Sequence, residues 1–168
     1  DVPRVIRPDL LITEDGLRVT ELDSVPGGIG LTAWLNQTYA KLGSRGPKVE
    51  SQILGGADGM RRGFASIFGD AAHVHVIVSD EAATYRPEMQ WLAAELGARF
   101  EVRDASHTGF ATGDAVYRFF ELFDLSNVAN AKQIFELAAE HKIRVTPPPK
   151  PIFEEKLLFA LLWNRNLQ

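Results

Sequence analysis

Strands and helices alternate along the chain from residue 72 onward, and this alternation constrains the fold more than any other feature. The run HVHVIVS is typical of a buried strand, and RPEMQWLAAELGA is typical of a helix with proline in its first turn and glycine near its end. The pattern continues with strands at RFEVRD, AVYRFF and IRVTP and helices at VANAKQIFELAAEHK and FEEKLLFALLWN. Such alternation predicts an α/β fold with a parallel, right-handed, Rossmann-like sheet.

The first 70 residues have a different character. Residues 5–12 and 17–23 alternate as strands do, and the turn residues Glu14-Asp15-Gly16 lie between them, which predicts an antiparallel hairpin. Apolar residues at helical spacing then predict helices over residues 31–42 and 57–68, with the loop GSRGPK between them. A two-stranded hairpin is too small to be stable alone, so we expect it to pack on other parts of the protein. The sequence therefore predicts two parts, which meet near residue 70.

The charged residues Arg7, Asp9, Glu21 and Asp23 interrupt the predicted hairpin at set intervals. Side chains alternate between the two faces of a strand. Arg7 and Asp9 therefore share one face of the first strand, and Glu21 and Asp23 share one face of the second. The turn between the strands decides whether these two faces coincide.

Two turns are compatible with the sequence. A two-residue loop of Asp15 and Gly16 would pair Glu14 with Leu17 and would place the two charged pairs on opposite faces. A three-residue loop that also includes Glu14 would pair Thr13 with Leu17 and would bring all four charges onto one face. We favour the three-residue loop because the opposite face then presents a continuous apolar surface. That apolar face would consist of Leu10, Ile12, Thr20 and Leu22.

In the favoured register, Asp9 faces Glu21 and Arg7 faces Asp23. Two carboxylates about 5 Å apart, at an effective dielectric constant of about 20, repel by about 3 kcal/mol, whereas a favourable cross-strand pair contributes only about 0.2–1 kcal/mol. We therefore expect a cation at this face. Three carboxylates beside an arginine suit magnesium next to a triphosphate. The alternative is an ordinary solvent-exposed hairpin face of mixed charge.

Composition excludes several classes of protein. Hydrophobic residues make up 45% of the chain and charged residues 24%, which indicates a folded core. The net charge of −4 and the lack of a long Lys/Arg run argue against a nucleic-acid partner. The absence of cysteine excludes disulfides and Cys-ligated zinc. No apolar run approaches the roughly 18 residues of a membrane span and no signal-peptide pattern is present, so we expect a cytoplasmic protein without a membrane partner.

The hairpin sequence RPDLLITEDGLRVTELD resembles the metal-binding hairpin of the glutathionylspermidine synthase-like, circularly permuted ATP-grasp family. In that family an Arg-x-Asp strand is followed by a strand with Glu-x-Asn. The order and spacing match here, with Asp23 in place of the asparagine. In roles carried over from the family, Asp9, Glu21 and Asp23 would bind Mg²⁺ with ATP, and Arg7 would stabilise the transferring phosphoryl or acyl-phosphate group.

Two further stretches resemble the same family. PPPKPIFEEKLLFALLW resembles its Pro-Pro-Trp-Lys segment, which is followed by Ser-Asn-Lys and a Leu-Leu-Trp helix, and Lys150 and Lys156 keep the family's spacing. By this resemblance both lysines would bind ATP, with Lys156 at its phosphates. GDAVYRFFELFD resembles the strand at the end of the family's Rossmann-like pre-ATP-grasp region. Residues 1–70 would then be a fragment of the permuted ATP-grasp domain, and residues 71–168 the pre-ATP-grasp region.

The resemblance implies a ligase that joins a carboxylate to an amine through an acyl-phosphate, with Mg²⁺ and ATP as cofactors. The loop SVPGGIG departs from the family's loop beside the acceptor site, so the small-molecule or peptide carboxylate and the amine stay open. The family's second ATP-contacting lysine and adenine pocket follow the Leu-Leu-Trp helix. We therefore expect about a hundred residues of ATP-grasp domain to be missing from the chain, which alone would not turn over ATP.

Two alternatives to a ligase remain open. One is a non-catalytic binding or scaffold module of the same fold, with the charged hairpin kept and no turnover. The other is an unrelated Rossmann-like protein that binds a nucleotide or a partner at the ends of its strands.

Overall fold

The computed structural model describes residues 2–43, 53–162 and 164–166, and the protein is a mixed α/β fold with a parallel four-stranded sheet and a separate antiparallel hairpin. The elements in chain order are β1 Arg7–Thr13, β2 Gly16–Asp23, α1 Ile29–Gly43, α2 Gly59–Ser66, β3 Val74–Val78, α3 Arg86–Leu96, β4 Phe100–Asp104, β5 Ala115–Phe119, α4 Ala131–Ala139, β6 Arg144–Thr146 and α5 Leu157–Leu162. The predicted GSRGPK loop, beyond Gly43, and Trp163 of the predicted last helix lie outside the described residues.

The sheet has the strand order β4-β3-β5-β6, and every neighbouring pair in it is parallel. The predicted parallel sheet is therefore confirmed. Every residue of the two central strands, β3 and β5, is buried, as expected for parallel strands covered on both faces. The chain passes from β4 on one side of β3 to β5 on the other. The strand order thus changes direction between β3 and β5.

Both faces of the sheet carry an apolar core. On one face, helices α2 and α3 cover the strands and α1 packs on these two helices, and Phe64 of α2 packs edge-on against Tyr117 with ring centroids 5.1 Å apart. Val25 and Ile29 belong to this same core, which therefore crosses residue 70. On the other face, Ile134 of α4 is fully buried in a second apolar cluster. In the described part of the chain, no helix has both the length and the apolar character needed to cross a membrane.

Helix α1 is attached to α3 at its first turn. The carboxylate of Glu88 accepts hydrogen bonds from the backbone amides of Gly28 and Leu31, each at 2.8 Å. An acidic group is favourable at this position because the first amides of a helix lack intrahelical partners. Gly30 lies so close to α3 that a Cβ on it would be 2.3 Å from the carbonyl oxygen of Glu88. Glycine is therefore required for the contact between the two helices.

The hairpin turn differs from both turns considered from the sequence. Thr13 pairs with Gly16, so the two residues between the strands are Glu14 and Asp15, and the predicted pairing of Thr13 with Leu17 is wrong. Gly16 has a φ of +105°, a conformation that glycine adopts without steric cost. Gly16 therefore follows the turn as the first residue of β2, and Thr13 pairs with it rather than with Leu17.

A register shift beside Asp9 restores the predicted pairing of the charged residues. Thr20 is the extra residue on β2, and its hydroxyl donates to the carbonyl oxygen of Asp9 at 3.0 Å. Beyond the shift, Asp9 pairs with Glu21 and Arg7 with Asp23, as predicted. A bulge of this kind adds one residue to one strand. For that reason the four charges share a face although the predicted turn is wrong.

The opposite face of the hairpin is apolar and exposed. Leu10 and Ile12 pair with Val19 and Leu17, so the predicted place of Thr20 opposite Leu10 is wrong. Ile12 is 84% exposed and Leu17 is 64% exposed. Nothing within the described residues covers this apolar face.

Candidate functional site

Arg7 links two carboxylates of the hairpin. Its Nε donates to Asp9 Oδ1 at 2.9 Å, its Nη2 lies 3.2 Å from Asp23 Oδ2, and its Nη1 donates to the carbonyl oxygen of Gly27 at 3.3 Å. Burial alone lowers the pKa of Arg7, but the carboxylates of Asp9, Asp23 and Glu21 outweigh burial and raise the pKa above its usual value. The guanidinium is therefore both permanently charged and fixed in place on the hairpin.

The carboxylate of Glu21 is paired from the other end of the chain. Lys156 Nζ lies 3.0 Å from Glu21 Oε1. The hydrogen bond and charge of Glu21, followed by the charges of Asp23 and Asp9, raise the pKa of Lys156. Each of the two opposed carboxylates, Asp9 and Glu21, thus has a cationic partner. In this structure Arg7 and Lys156 offset the repulsion between the two carboxylates, and the magnesium expected at this face stays a prediction.

Lys150 belongs to the same C-terminal segment as Lys156. Its ammonium group lies over the ring of Phe153, with Nζ 5.9 Å from the ring centroid. The ring is part of a short 3-10 turn, Pro151–Phe153, which precedes Lys156. Lys156 contacts a carboxylate of the hairpin, that of Glu21.

A fully buried arginine attaches this C-terminal segment to the sheet. Arg118, in β5, is 0% exposed. Its guanidinium donates to three backbone carbonyl oxygens and one carboxylate, those of Phe120, Pro147, Pro148 and Glu154, at 2.8, 2.7, 2.9 and 2.5 Å. A buried charge is tolerated only when it is paired and hydrogen-bonded. Arg118 meets this condition only when the segment that leads to Lys156 lies against the carboxyl end of β5.

A second carboxyl group lies beside that of Glu154. The Glu154 carboxylate is paired with Arg118 and accepts a hydrogen bond from the backbone amide of Leu122 at 2.8 Å. Burial, then the hydrogen bond to Glu154, then the charges of Glu154 and Asp23 raise the pKa of Glu121 to about 8. Glu121 is therefore protonated at neutral pH.

These charged groups lie at the carboxyl ends of the parallel strands. Glu121 follows β5, and Ser79 follows β3 and donates its backbone amide to the carbonyl oxygen of Phe119 at 3.4 Å. The ring of Tyr85 packs on Phe119 and lies so close to Gly27 that a Cβ there would be 2.5 Å from it. In open parallel sheets, ligands bind outside the carboxyl ends of the strands where the strand order changes direction. Here that position is between β3 and β5.

The carboxylates of the hairpin have the right chemistry for magnesium, but their oxygens are engaged with other groups. Asp23 accepts a hydrogen bond from the Val25 amide at 2.8 Å with the oxygen that does not contact Arg7. Glu21 is paired with Lys156. Among the residues that the structure describes, no group of three or more His, Asp or Glu side chains is arranged to hold a metal ion. Oxygen coordination by the three predicted ligands therefore requires a rearrangement of side chains.

Three residues of this site were missed from the sequence: Arg118, Glu121 and Glu154. The available signal was the arginine within the otherwise apolar strand AVYRFF, since a buried arginine needs an acidic partner. The sequence does not show which acidic residue that is. Glu154 lies in another segment, and only the fold brings the two together.

Comparisons with protein-family models, with curated proteins and with solved structures found no match to this chain.

Proposed function

We propose that this chain is the metal-hairpin and pre-ATP-grasp part of a circularly permuted, glutathionylspermidine synthase-like ATP-grasp ligase. The observation that carries the proposal is the contact of Lys156 with Glu21 at 3.0 Å. The two residues belong to motifs at opposite ends of the chain that resemble ATP-binding motifs of one family. Their meeting on the charged face of the hairpin is what a shared nucleotide site requires.

In this proposal the hairpin and the C-terminal segment have separate roles. Asp9, Glu21 and Asp23 are the oxygen ligands of Mg²⁺. ATP would supply the phosphoryl group, and Mg²⁺ would neutralise the charge of the phosphates. Arg7, held by its two carboxylates, offsets the negative charge that develops during transfer. The Lys156 side chain is 74% exposed, so it is free to turn from Glu21 to a phosphate oxygen and leave Glu21 available as a ligand.

The proposed overall reaction forms an amide. The carboxylate substrate takes a phosphoryl group from ATP, and an amine then displaces phosphate from the acyl-phosphate. No covalent bond to the enzyme is needed, which agrees with a site made of carboxylates, arginine and lysine and containing no cysteine. The acceptor carboxylate would approach near the SVPGGIG loop, which directly follows Asp23.

The test is calorimetric titration of the chain with ATP in the presence and absence of magnesium. We expect magnesium-dependent binding in the parent chain and its loss in the double variant Asp9→Ala, Glu21→Ala. A matched control is Glu14→Ala, Asp15→Ala, which removes the same charge from the exposed turn of the same hairpin. Binding that is unchanged in the Asp9, Glu21 variant, or equally weakened in the control, would contradict the proposed metal ligands.

The same proposal makes a statement about turnover. In a protein that also contains the remaining ATP-grasp residues, Glu21→Ala is expected to abolish ATP turnover, because it removes a magnesium ligand. The 168-residue chain alone is expected to release no phosphate. Steady phosphate release by the pure chain would show that the nucleotide site is built differently.

A second candidate is a non-catalytic, Rossmann-like binding or scaffold module. The ion pairing of Asp9, Glu21 and Asp23 favours it, since each carboxylate already has a cationic partner among the described residues. Such a module would bind ATP equally with and without magnesium, or not at all. It would also stay without turnover in the longer protein.

A further inference from the structure

A cavity of about 630 Å³ lies beside β6, at the edge of the sheet. Its walls include Phe68, Phe135 and Ile143, of which Phe68 and Ile143 are more than nine-tenths buried. Three basic residues also line it: Arg4, Arg144 and His141. Among the described residues that line the cavity, none is acidic, and of the groups described around the hairpin site the lining includes only Pro148, whose carbonyl oxygen accepts from Arg118. The cavity is therefore a separate, apolar and basic feature.

The two arginines are fixed next to each other by the end of α2. Arg4 donates from Nη1 to the carbonyl oxygen of Ile67, and Arg144 donates from Nη2 to the carbonyl oxygen of Phe68, each at 3.0 Å. Arg144 also contacts Asp70 at 3.0 Å, but Asp70 is 97% exposed, and such surface pairs are weak. Consecutive carbonyl oxygens thus hold two guanidinium groups from distant parts of the chain at one cavity. Because each guanidinium has five N–H donors, donors remain for a ligand.

We propose that this cavity binds a small organic anion with an apolar body, of the monocarboxylate class. The volume lies within the range of about 300–1,000 Å³ that is typical of small-molecule sites. The planar fork of arginine matches a carboxylate, which gives the anionic end its place near Arg4 and Arg144. The buried Phe68 and Ile143 accommodate the apolar body. A highly charged ligand such as a triphosphate fits poorly, because these apolar walls would desolvate it without compensation.

The position of the two arginines has a simpler explanation than ligand binding, and the experiment has to distinguish the two. Cations are favourable at the carboxyl end of a helix, and Arg4 and Arg144 would serve α2 in this way without any ligand. That role predicts a loss of stability when they are replaced, and no effect on binding. Ligand binding predicts a charge-selective affinity that depends on the same two residues.

The experiment is a titration of the ¹⁵N-labelled chain with octanoate, followed by amide chemical shifts, and repeated with 1-octanol, octylammonium and 4-phenylbutyrate. We expect the two carboxylates to shift amides of β6, of the end of α4 and of residues near Arg4. Octanol lacks the charge, so its affinity should be lower than that of octanoate by about tenfold or more, because a charge-assisted hydrogen bond is lost. Octylammonium should not bind there.

Variants decide between the two explanations. The double variant Arg4→Gln, Arg144→Gln should lose the preference for octanoate over octanol, whereas Arg18→Gln, Lys132→Gln, which neutralises two exposed cations elsewhere, should keep it. Ala138→Phe should fill the cavity and abolish binding, with Ala94→Phe on the exposed side of α3 as its size-matched control. The thermal midpoint of each variant reports whether it is folded. If Ala138→Phe is unfolded, the arginine variant alone decides.

Any of four results would overturn the proposal. The first is that neither carboxylate shifts the cavity amides, and the second is that octanol binds as tightly as octanoate. The third is that the shifts are confined to the exposed apolar face of the hairpin, and the fourth is that a folded Arg4→Gln, Arg144→Gln variant binds octanoate with unchanged affinity and selectivity.

Discussion

Replacing Glu121 with glutamine should remove a specific dependence of stability on pH. In the folded chain the Glu121 side chain is hydrogen-bonded to Glu154, and the pKa of Glu121 is raised from 4.5 to about 8, chiefly by burial. A carboxyl group with a raised folded-state pKa stabilises the protein fully below its ordinary pKa, and this contribution is lost as the pH rises through the folded-state value. Glutamine can keep a hydrogen bond to Glu154 but does not titrate. The Glu121→Gln variant should therefore show no such loss.

The size of the effect follows from the pH window. One proton held by the folded state and not by the unfolded state changes the free energy of unfolding by about 1.4 kcal/mol per pH unit. From about pH 6.5 to the pKa of about 8 the ceiling is about 2 kcal/mol. Because Glu121 is only partly buried, solvent screening reduces this to about 1 kcal/mol. For a chain of this length, about 1 kcal/mol corresponds to about 2–4 °C in Tm.

The lower limit of the window is set by His107. Burial, together with the charges of His75 and Arg103, lowers the pKa of His107, so its stabilising contribution is complete above the ordinary histidine pKa of 6.5. The upper limit is set by Lys156, whose pKa is raised above 10.5 and which therefore stays charged below about pH 9.

Urea unfolding, followed by circular dichroism in steps of about half a pH unit from about pH 6.5 to 9, measures the predicted loss. Glu136→Gln, an exposed carboxyl group on α4, serves as the control that should keep the parent's pH dependence. Equal slopes for the parent and Glu121→Gln would refute the raised pKa of Glu121. A parent stability that rises with pH over this window would refute it as well.

Two further substitutions test the packing that positions the site. Gly30→Ala should destabilise the chain by about 2–3 kcal/mol in urea unfolding, because its Cβ would meet the Glu88 carbonyl oxygen at 2.3 Å. Its control is Gly63→Ala in α2, where no atom lies near the added Cβ, and this variant should be more stable by about 0.5–1 kcal/mol. Equal effects of the two would contradict the α1–α3 contact. Arg118→Met should cost about 3–5 kcal/mol, because it leaves a buried carboxylate without its cation. A loss below about 1 kcal/mol, the size of a typical surface effect, would contradict the buried pair.

Most of the sheet could be predicted from the sequence, because buried parallel strands and amphipathic helices carry strong local periodicity. The predicted strand HVHVIVS and the observed β3, Val74–Val78, agree within one residue at each end. The last helix is predicted from Phe153 but begins only at Leu157, and Phe153 instead ends the 3-10 turn Pro151–Phe153. Proline is compatible with the start of such a turn but interrupts a continuous helix. Residue-level boundaries thus depended on turn chemistry that periodicity does not report.

The hairpin shows a different limit. The pairing of Arg7 with Asp23 and of Asp9 with Glu21 was predicted for an incorrect reason, because the three-residue turn does not form and a bulge at Thr20 supplies the same offset. Threonine is favourable in regular strands, so nothing at that position indicates a bulge. The sign and the partners of the charges were readable from their spacing. The bulge that aligns the charges depends on hydrogen bonds such as that from the Thr20 hydroxyl to the carbonyl oxygen of Asp9, which the sequence does not show.

The two halves of the candidate site are positioned by different physical means, and this difference bears on how the site could change on binding a ligand. Arg7 is fixed by backbone register and by two carboxylates of its own hairpin. Among the described residues, Lys156 is held through its segment, which Arg118 attaches to β5, and through one exposed ion pair with Glu21. Exposed ion pairs are weak, so Lys156 can exchange partners at little cost while its backbone stays in place. A charged ligand at this face would therefore displace Lys156 first and leave Arg7 where it is.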